Sequence, residues 1–290
     1  MQLLIYILIY PIIWIISILP FPVLYFLSDC VFFLVYRIIK YRKRVVRQNI
    51  ALSLTHLSDQ ERKIIEKKFY SHMCDLYLEM IKTLSISRKE IEKRFVFTNM
   101  EVYLELEKKE KSIALLCAHY ASYEWAVSMN YHINYVGYGV YKKLANPYFD
   151  KLVRKIRSKF KSQLIDSKET IPTMATNFRS KKFSIYGLVS DQSPKLTATH
   201  HWQKFMGIEV PVHTGGEMLA KKYDMNVIFL KTKKIKRGYY EASFEILSDG
   251  NAKEIPNYEI TDNFLKLVEQ QIYEAPEYYL WTHKRWKHKR

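Results

Sequence analysis

The chain has 290 residues and a formal net charge of +17. Eight glycines and nine prolines exclude a collagen-like or low-complexity chain, and 48% hydrophobic with 15% aromatic residues excludes global disorder. Its three cysteines, Cys30, Cys74 and Cys117, lie far apart, which excludes a disulfide scaffold and a paired-cysteine zinc site. The length predicts one large domain or two small ones.

Charge is unevenly placed. Residues 1–36 contain a single charged side chain, Asp29, whereas residues 37–47 carry Arg37, Lys40, Arg42, Lys43, Arg44 and Arg47 and no acid. That pattern predicts a membrane-embedded segment followed by a basic cytoplasmic flank. A cleaved signal peptide would start with basic residues and end at a small-residue site, and neither is present. The competing reading, a buried core helix, is disfavoured because the apolar run is longer than a core helix needs. Pro11, Pro20 and Pro22 interrupt the run. A tilted span, a kinked span and a re-entrant hairpin all fit.

Residues 45–95 read as helices. Ser58-Asp59-Gln60-Glu61 is a start signal, and Ile64, Ile65, Phe69, Met73, Leu76, Tyr77 and Met80 recur at helical spacing. The charges on the other face of that helix are expected to be solvated. From residue 112 the texture changes. Strands are predicted at 112–117, 134–141, 183–189, 226–230 and 239–246. Helices are predicted at 121–132, 148–160 and 261–274, with one more capped by Thr214. Residues 193–212 read as a loop. The alternation predicts an α/β fold with a mixed, partly parallel sheet flanked by helices. The chain divides into an anchor (1–36), a basic flank with a helical region (37–110) and an α/β region (111–290).

In open α/β sheets chemistry gathers at the carboxyl ends of strands. Two predicted strands end in polar residues, at Ala118-His119 and at Ser190-Asp191-Gln192. His119 is followed five residues on by Glu124. If a helical turn folds that carboxylate back onto the imidazole, it fixes the tautomer and frees the other nitrogen to take a proton from a hydroxyl. On spacing alone, a hydrogen-bonded histidine with no chemistry is the favoured reading. Cys117 lies two residues before His119, so a Cys–His nucleophile is conceivable, but its Leu115-Leu116 neighbours favour a packed strand residue. The remaining histidines show no ligand spacing, and no metal is expected.

Five blocks in chain order resemble the bacterial late acyltransferases of lipid A biosynthesis, within the wider lysophospholipid acyltransferases. They are His119 to Glu124 with Trp125; Tyr141-Lys142 with Asn146-Pro147, Asp150 and Arg157; Asp191-Gln192-Ser193-Pro194-Lys195; Phe205-Met206-Gly207 with Thr214-Gly215, Glu217 and Leu219-Ala220-Lys221; and Pro276-Glu277 through Trp281 and Arg285 to Lys287. The resemblance spans nearly the whole chain. Tyr120, Ala121, Ser122 and Tyr123 stand where that family often carries Gly and Asn. Lys161 stands where a Gly commonly follows the arginine.

The resemblance implies a glycerolipid acyltransferase-like sandwich with an N-terminal membrane-embedded helix. It implies transfer of a fatty acyl group from acyl carrier protein to a hydroxyl of a phosphorylated glycolipid, a lipid A precursor, at the cytoplasmic face of the inner membrane. His119 and Glu124 would form the general-base dyad. Arg157 would stabilise the oxyanion or hold acceptor phosphate, Asp191 would hold a site residue or contact the head group, and Gln192, Lys142 and Asn146 would bind substrate. The acyl carrier protein is a co-substrate, and no other cofactor is implied. The positive charge suits an acidic carrier, a phosphorylated acceptor and anionic membrane lipids. No nucleic-acid motif is visible. Two alternatives stand beside this reading. One is an acyltransferase acting on a lysophospholipid or an amino-acid-containing lipid, and the other is a non-catalytic, basic, membrane-tethered binding protein.

Overall fold

A computed structural model describes residues 1–290. Its strands are β1 (Phe95–Phe97), β2 (Ile113–Cys117), β3 (Val136–Tyr141), β4 (Gln163–Asp166), β5 (Ser184–Val189), β6 (Trp202–Phe205), β7 (Ile208–Pro211), β8 (Asn226–Lys236) and β9 (Tyr239–Ser248). Seven of them form one sheet in the order β1-β9-β8-β2-β5-β3-β4, and β6 and β7 pair separately. Every pairing in the large sheet is parallel except β8 with β9. All five residues of β2 are buried. That is why Ile113 to Cys117 reads as an unbroken apolar run: a central parallel strand is covered on both faces. The expected mixed α/β sheet is therefore present. β1 joins it from the helical region, through β9.

The helices are α1 (Gln2–Ile18), α2 (Phe21–Phe33), α3 (Lys43–Ser53), α4 (Asp59–Lys82), α5 (Arg88–Arg94), α6 (Met100–Glu107), α7 (Pro147–Arg157), α8 (Thr170–Arg179), α9 (Gly215–Lys222) and α10 (Glu259–Glu274). The apolar N-terminus is two helices, broken at Leu19 and Pro20. Pro20 caps α2, and Pro22 falls in its first turn, where the missing N–H costs nothing. α2 continues as π-helical turns over Leu34–Ile39, and Phe21–Ile39 together is long and apolar enough to cross a membrane. α4 starts as predicted: Ser58 accepts from the Glu61 N–H, and the Glu61 carboxylate accepts from the Ser58 N–H.

The structure departs from the sequence expectations in four places. The charges of α4 are only partly solvated: Asp59, Glu61, Lys63, Lys67 and Lys68 are exposed as expected. Asp75, Glu79 and Lys82 are buried because α1 and α2 lie against the face that would otherwise meet water, and Glu66 is buried beside Lys43 and Arg47 of α3. The expected helix at 121–132 is a 3-10 helix, Trp125–Tyr131. Its first turn is lost because Ala121 is left-handed (φ 47°) and donates its N–H to the Tyr278 carbonyl. The loop at 193–212 contains the β6–β7 hairpin. Met206 and Gly207, both at positive φ, make its two-residue turn. Thr214 precedes α9, but its side chain makes no capping bond.

The C-terminal tail is part of the core. Trp281 is fully buried, stacks on Trp286 with ring centroids 5.9 Å apart, and donates its indole N–H to Pro276. Trp281→Ala is expected to destabilise the fold by about 3–5 kcal/mol, the usual cost of emptying a large buried site. Thermal unfolding of the two proteins in the same detergent measures it.

Candidate active site

Two strand ends lie side by side. β2 and β5 are parallel neighbours with Cys117 opposite Val189, and the Ser190 N–H extends the ladder to the Cys117 carbonyl. Two residues beyond that last register pair come His119 on one strand and Asp191 on the other. Asp191 Oδ1 accepts from the His119 backbone N–H at 3.1 Å and lies 2.7 Å from His119 Nδ1. Asp191 is 1% exposed, while the His119 side chain keeps 21% of its surface.

The electrostatics follow from this geometry. Burial is the largest influence on His119 and pulls its pKa down. The Asp191 carboxylate beside it, with a smaller contribution from Glu124, outweighs burial and raises it above the ordinary value, against an opposing push from Arg157. For Asp191, burial again acts first and upward, and the imidazole and the backbone hydrogen bond carry the carboxyl below its usual range. With Nδ1–H directed at Asp191, the neutral tautomer leaves Nε2 unprotonated. The Gln192 amide sits 3.4 Å from that nitrogen, and the Tyr123 ring meets the imidazole edge-on at 5.1 Å.

Glu124 does not occupy the position expected for it at Nδ1. Its buried carboxylate is held by Arg157, with Nε donating to Oε2 at 2.8 Å and Nη2 donating to Oε1. The left-handed Ala121 removes the helical turn that would have folded Glu124 back over the imidazole. Arg157 sits in the last turn of α7. Burial pulls its pKa down, but the paired carboxylate outweighs burial and raises it, so it stays charged. Its Nη1 makes no hydrogen bond. The pair forms the polar end of a mainly apolar pocket of about 200 Å³, lined by Leu76, Tyr77 and Met80 of α4, Tyr123, Tyr141 and Val153. Lys142 stands at its edge, largely in solvent.

Asn146 is committed elsewhere: its Oδ1 accepts from the Tyr148 and Phe149 N–H groups and caps α7. Buried Asp150 ties the Leu144 N–H and the Tyr141 hydroxyl, which fixes the loop leading into that helix. The block from Tyr141 to Arg157 thus builds one wall of the pocket. Cys117 is buried and its thiol is pushed up to about 12, so it is not a thiolate at neutral pH.

Sequence reasoning quoted Arg285 without a role. It is 1% exposed and lies behind the Asp191 loop. Its Nη1 donates to Ser193 Oγ and to the Pro211 carbonyl, and Ser193 Oγ donates to the Arg285 carbonyl. Leu280 N–H donates to the His119 carbonyl, and Tyr120 bridges to Tyr279. The tail therefore braces both loops of the site. The only sequence signal was an arginine set between two tryptophans, four and one residues away.

An imidazole tethered this way, with a free nitrogen beside an apolar pocket, is arranged to take a proton from a hydroxyl. Comparisons with known proteins bear on the family of the chain. Residues 1–288 match the family described as bacterial lipid A biosynthesis acyltransferase. The chain is also similar to the lipid A biosynthesis lauroyltransferase of Escherichia coli (strain K12), with 25% identity over 279 residues, 95% of this chain and 89% of the relative. A match over essentially its whole length means that this chain belongs to the bacterial lipid A biosynthesis acyltransferase family and is an acyltransferase.

Proposed function

We propose that the chain transfers a fatty acyl group from the thioester of acyl carrier protein to a hydroxyl of a lipid A precursor, at the cytoplasmic face of the inner membrane. The observation that carries the mechanism is the 2.7 Å contact between His119 Nδ1 and buried Asp191, which leaves Nε2 as the basic nitrogen. His119 Nε2 removes the proton as the acceptor oxygen attacks the thioester carbonyl. Asp191 stabilises the imidazolium that results. The tetrahedral oxyanion then collapses, the carbon–sulfur bond breaks, and the imidazolium gives the proton to the departing carrier thiolate, which leaves as the thiol. Arg157, held in place by Glu124, lines the pocket, and its Nη1 is a donor for the oxyanion or for an acceptor phosphate. The basic residues Lys142 and Lys143 and the cationic face of α7 suit an acidic carrier and a phosphorylated acceptor.

The dyad in this reading is His119–Asp191, with Glu124 positioning Arg157. Glu124→Gln is expected to lower turnover by about 10–10²-fold, the loss of one charge-assisted bond. Glu124→Gln with Arg157→Ala is expected to cost little more than Arg157→Ala alone, because the two act as a unit. Additive losses in that kinetic cycle would return Glu124 to a separate role.

The reaction is tested by mass spectrometry of membranes carrying the wild type. They are mixed with acyl carrier protein loaded with several chain lengths, together with an under-acylated lipid A precursor in one series and with lysophospholipids in another. An acyl mass added to the lipid A precursor supports the proposal. Transfer to lysophospholipid alone keeps the mechanism and overturns the acceptor.

A further inference from the structure

The apolar N-terminal helices have one face committed to the rest of the protein. On α1 the covered positions are Tyr6, Tyr10, Ile13, Ile16 and Ser17, a stripe at helical spacing, and the rest of the helix is exposed and apolar, Leu8 by 72%. Both ends of α1 are held. Near its start, Tyr6 packs on Tyr148 and Phe149 of α7, with centroids 5.6 Å away in each case. At its end, Lys82 donates to the Ser17 and Leu19 carbonyls at 2.8 and 2.7 Å. α2 runs antiparallel along α4. Tyr25 donates to Glu79 at 2.9 Å, Ser28 donates to Asp75 at 2.7 Å, and Tyr36 packs on Tyr70 at 5.2 Å. Arg237, from the β8–β9 turn, joins Asp75 and Asp29 and also bonds the Tyr25 carbonyl.

We propose that this segment does not cross the bilayer: α1 and α2 embed sideways in one leaflet, as a monotopic lipid-facing surface. A 17-residue α1 is about 25 Å long, and a bilayer core about 30 Å thick. For either helix to cross, one of two costs must be met. α4, α7 and the β8–β9 turn could follow it into hydrocarbon, carrying Asp75, Glu79, Arg237 and Lys151. Alternatively the helices could peel away from α4, taking the Ser17 and Leu19 carbonyls from Lys82, the Ser28 hydroxyl from Asp75 and the Tyr25 hydroxyl from Glu79. Each charge carried into hydrocarbon costs several kcal/mol, and peeling forfeits the packing of both helices on α4. Lying in the interface avoids both.

The occupant of the exposed face is a membrane containing anionic lipid. Exposed Leu8, Ile12, Ile15, Phe26, Phe33 and Ile38 provide the apolar surface. Arg37, Lys40 and Arg44 border it on one side. Lys151 and Lys155, beside Tyr6 and Tyr10, border it on the other. Cations and tyrosines ringing an apolar face match the headgroup level. This inference shares with the proposed function only the premise that the chain meets a membrane, and its test reads no activity.

The full chain carries a polar tag with a protease site ahead of Met1, in sealed vesicles of both orientations. Cleavage of the tag in the orientation where an impermeant reagent also modifies Lys253→Cys, in a Cys30→Ser background, is the expected result. Cleavage only in the opposite orientation overturns the proposal. In the same background, a fluorophore at Phe26→Cys is expected to be quenched more by nitroxides near the headgroup end of lipid chains than by nitroxides at the bilayer centre. Strongest quenching at the centre would mean a span. Absence of quenching, with a stable dimer in detergent, would mean that a second copy covers the face.

Discussion

His119→Ala is expected to lower turnover by about 10²–10⁴-fold while the protein stays folded. The magnitude follows from the job assigned to the side chain. An alcohol is a poor nucleophile at neutral pH, and the other neutral imidazole beside the site, His283, which burial pulls down to about 4, has its Nε2 taken up by the Ser193 N–H. Cys117 cannot substitute, because its thiol is buried and raised to about 12. Folding should survive because the imidazole is partly exposed and the loop is held by backbone bonds: the Leu280 N–H to the His119 carbonyl and the Ala121 N–H to the Tyr278 carbonyl. Single-turnover acyl transfer, with melting temperature as the control, decides it. Near-wild-type transfer from a folded His119→Ala protein would remove the base from the mechanism.

Asp191→Asn is expected to cost a similar factor, about 10²–10⁴, and to change the pH profile in a defined direction. The base works when neutral, so activity rises with pH through the His119 pKa. The Asp191 carboxylate holds that pKa above the ordinary 6.5. Removing the charge leaves burial, which pulls the pKa down, so the acid limb of kcat/KM is expected to move to lower pH. Turnover on the plateau should still fall. An Asn can donate to Nδ1 and place the ring proton on Nε2, where it blocks proton removal, and it no longer stabilises the imidazolium. An acid limb that stays in place would show that another group sets it. Glu124→Gln should move the limb less, since Glu124 is the smaller of the two raising influences.

The same pair makes stability depend on pH. The His119 contribution is full below the unfolded value of 6.5 and is lost as pH rises through the higher folded value. The Asp191 contribution is present above the unfolded value of 3.8 and is lost as pH falls through the lower folded value. The melting difference between wild type and Asp191→Asn should therefore be largest between these unfolded values and shrink toward alkaline pH.

The N-terminal helices bear on mutant design. Lys82, Asp75 and Glu79 take partners from residues 17–28, so deleting that segment removes the partners of buried charges as well as the apolar surface. Loss of activity in such a deletion would report on folding before it reported on membrane attachment.

The sequence by itself determined what depends on neighbours along the chain. The apolar run and its basic flank, the Ser58–Glu61 helix start, the buried run of β2 and the polar ends of two strands are local patterns. Each is set by period, capping chemistry or burial on both faces. The same signals placed His119 and Asp191 at strand ends. Tertiary structure decided which ends are neighbours. His119 and Asp191 are 72 residues apart, and they meet because β5 pairs with β2, after β3 and β4 have been laid down beyond it. Glu124 and Arg157, 33 apart, meet because the tail holds the chain at Ala121 away from a helical turn. Asp75, Glu79 and Lys82 of α4 read as surface because nothing local shows that α1 and α2 will cover them. A side chain's partner is fixed by strand order and by what packs over it, and those contacts are set by the whole chain's burial rather than by any short stretch of it.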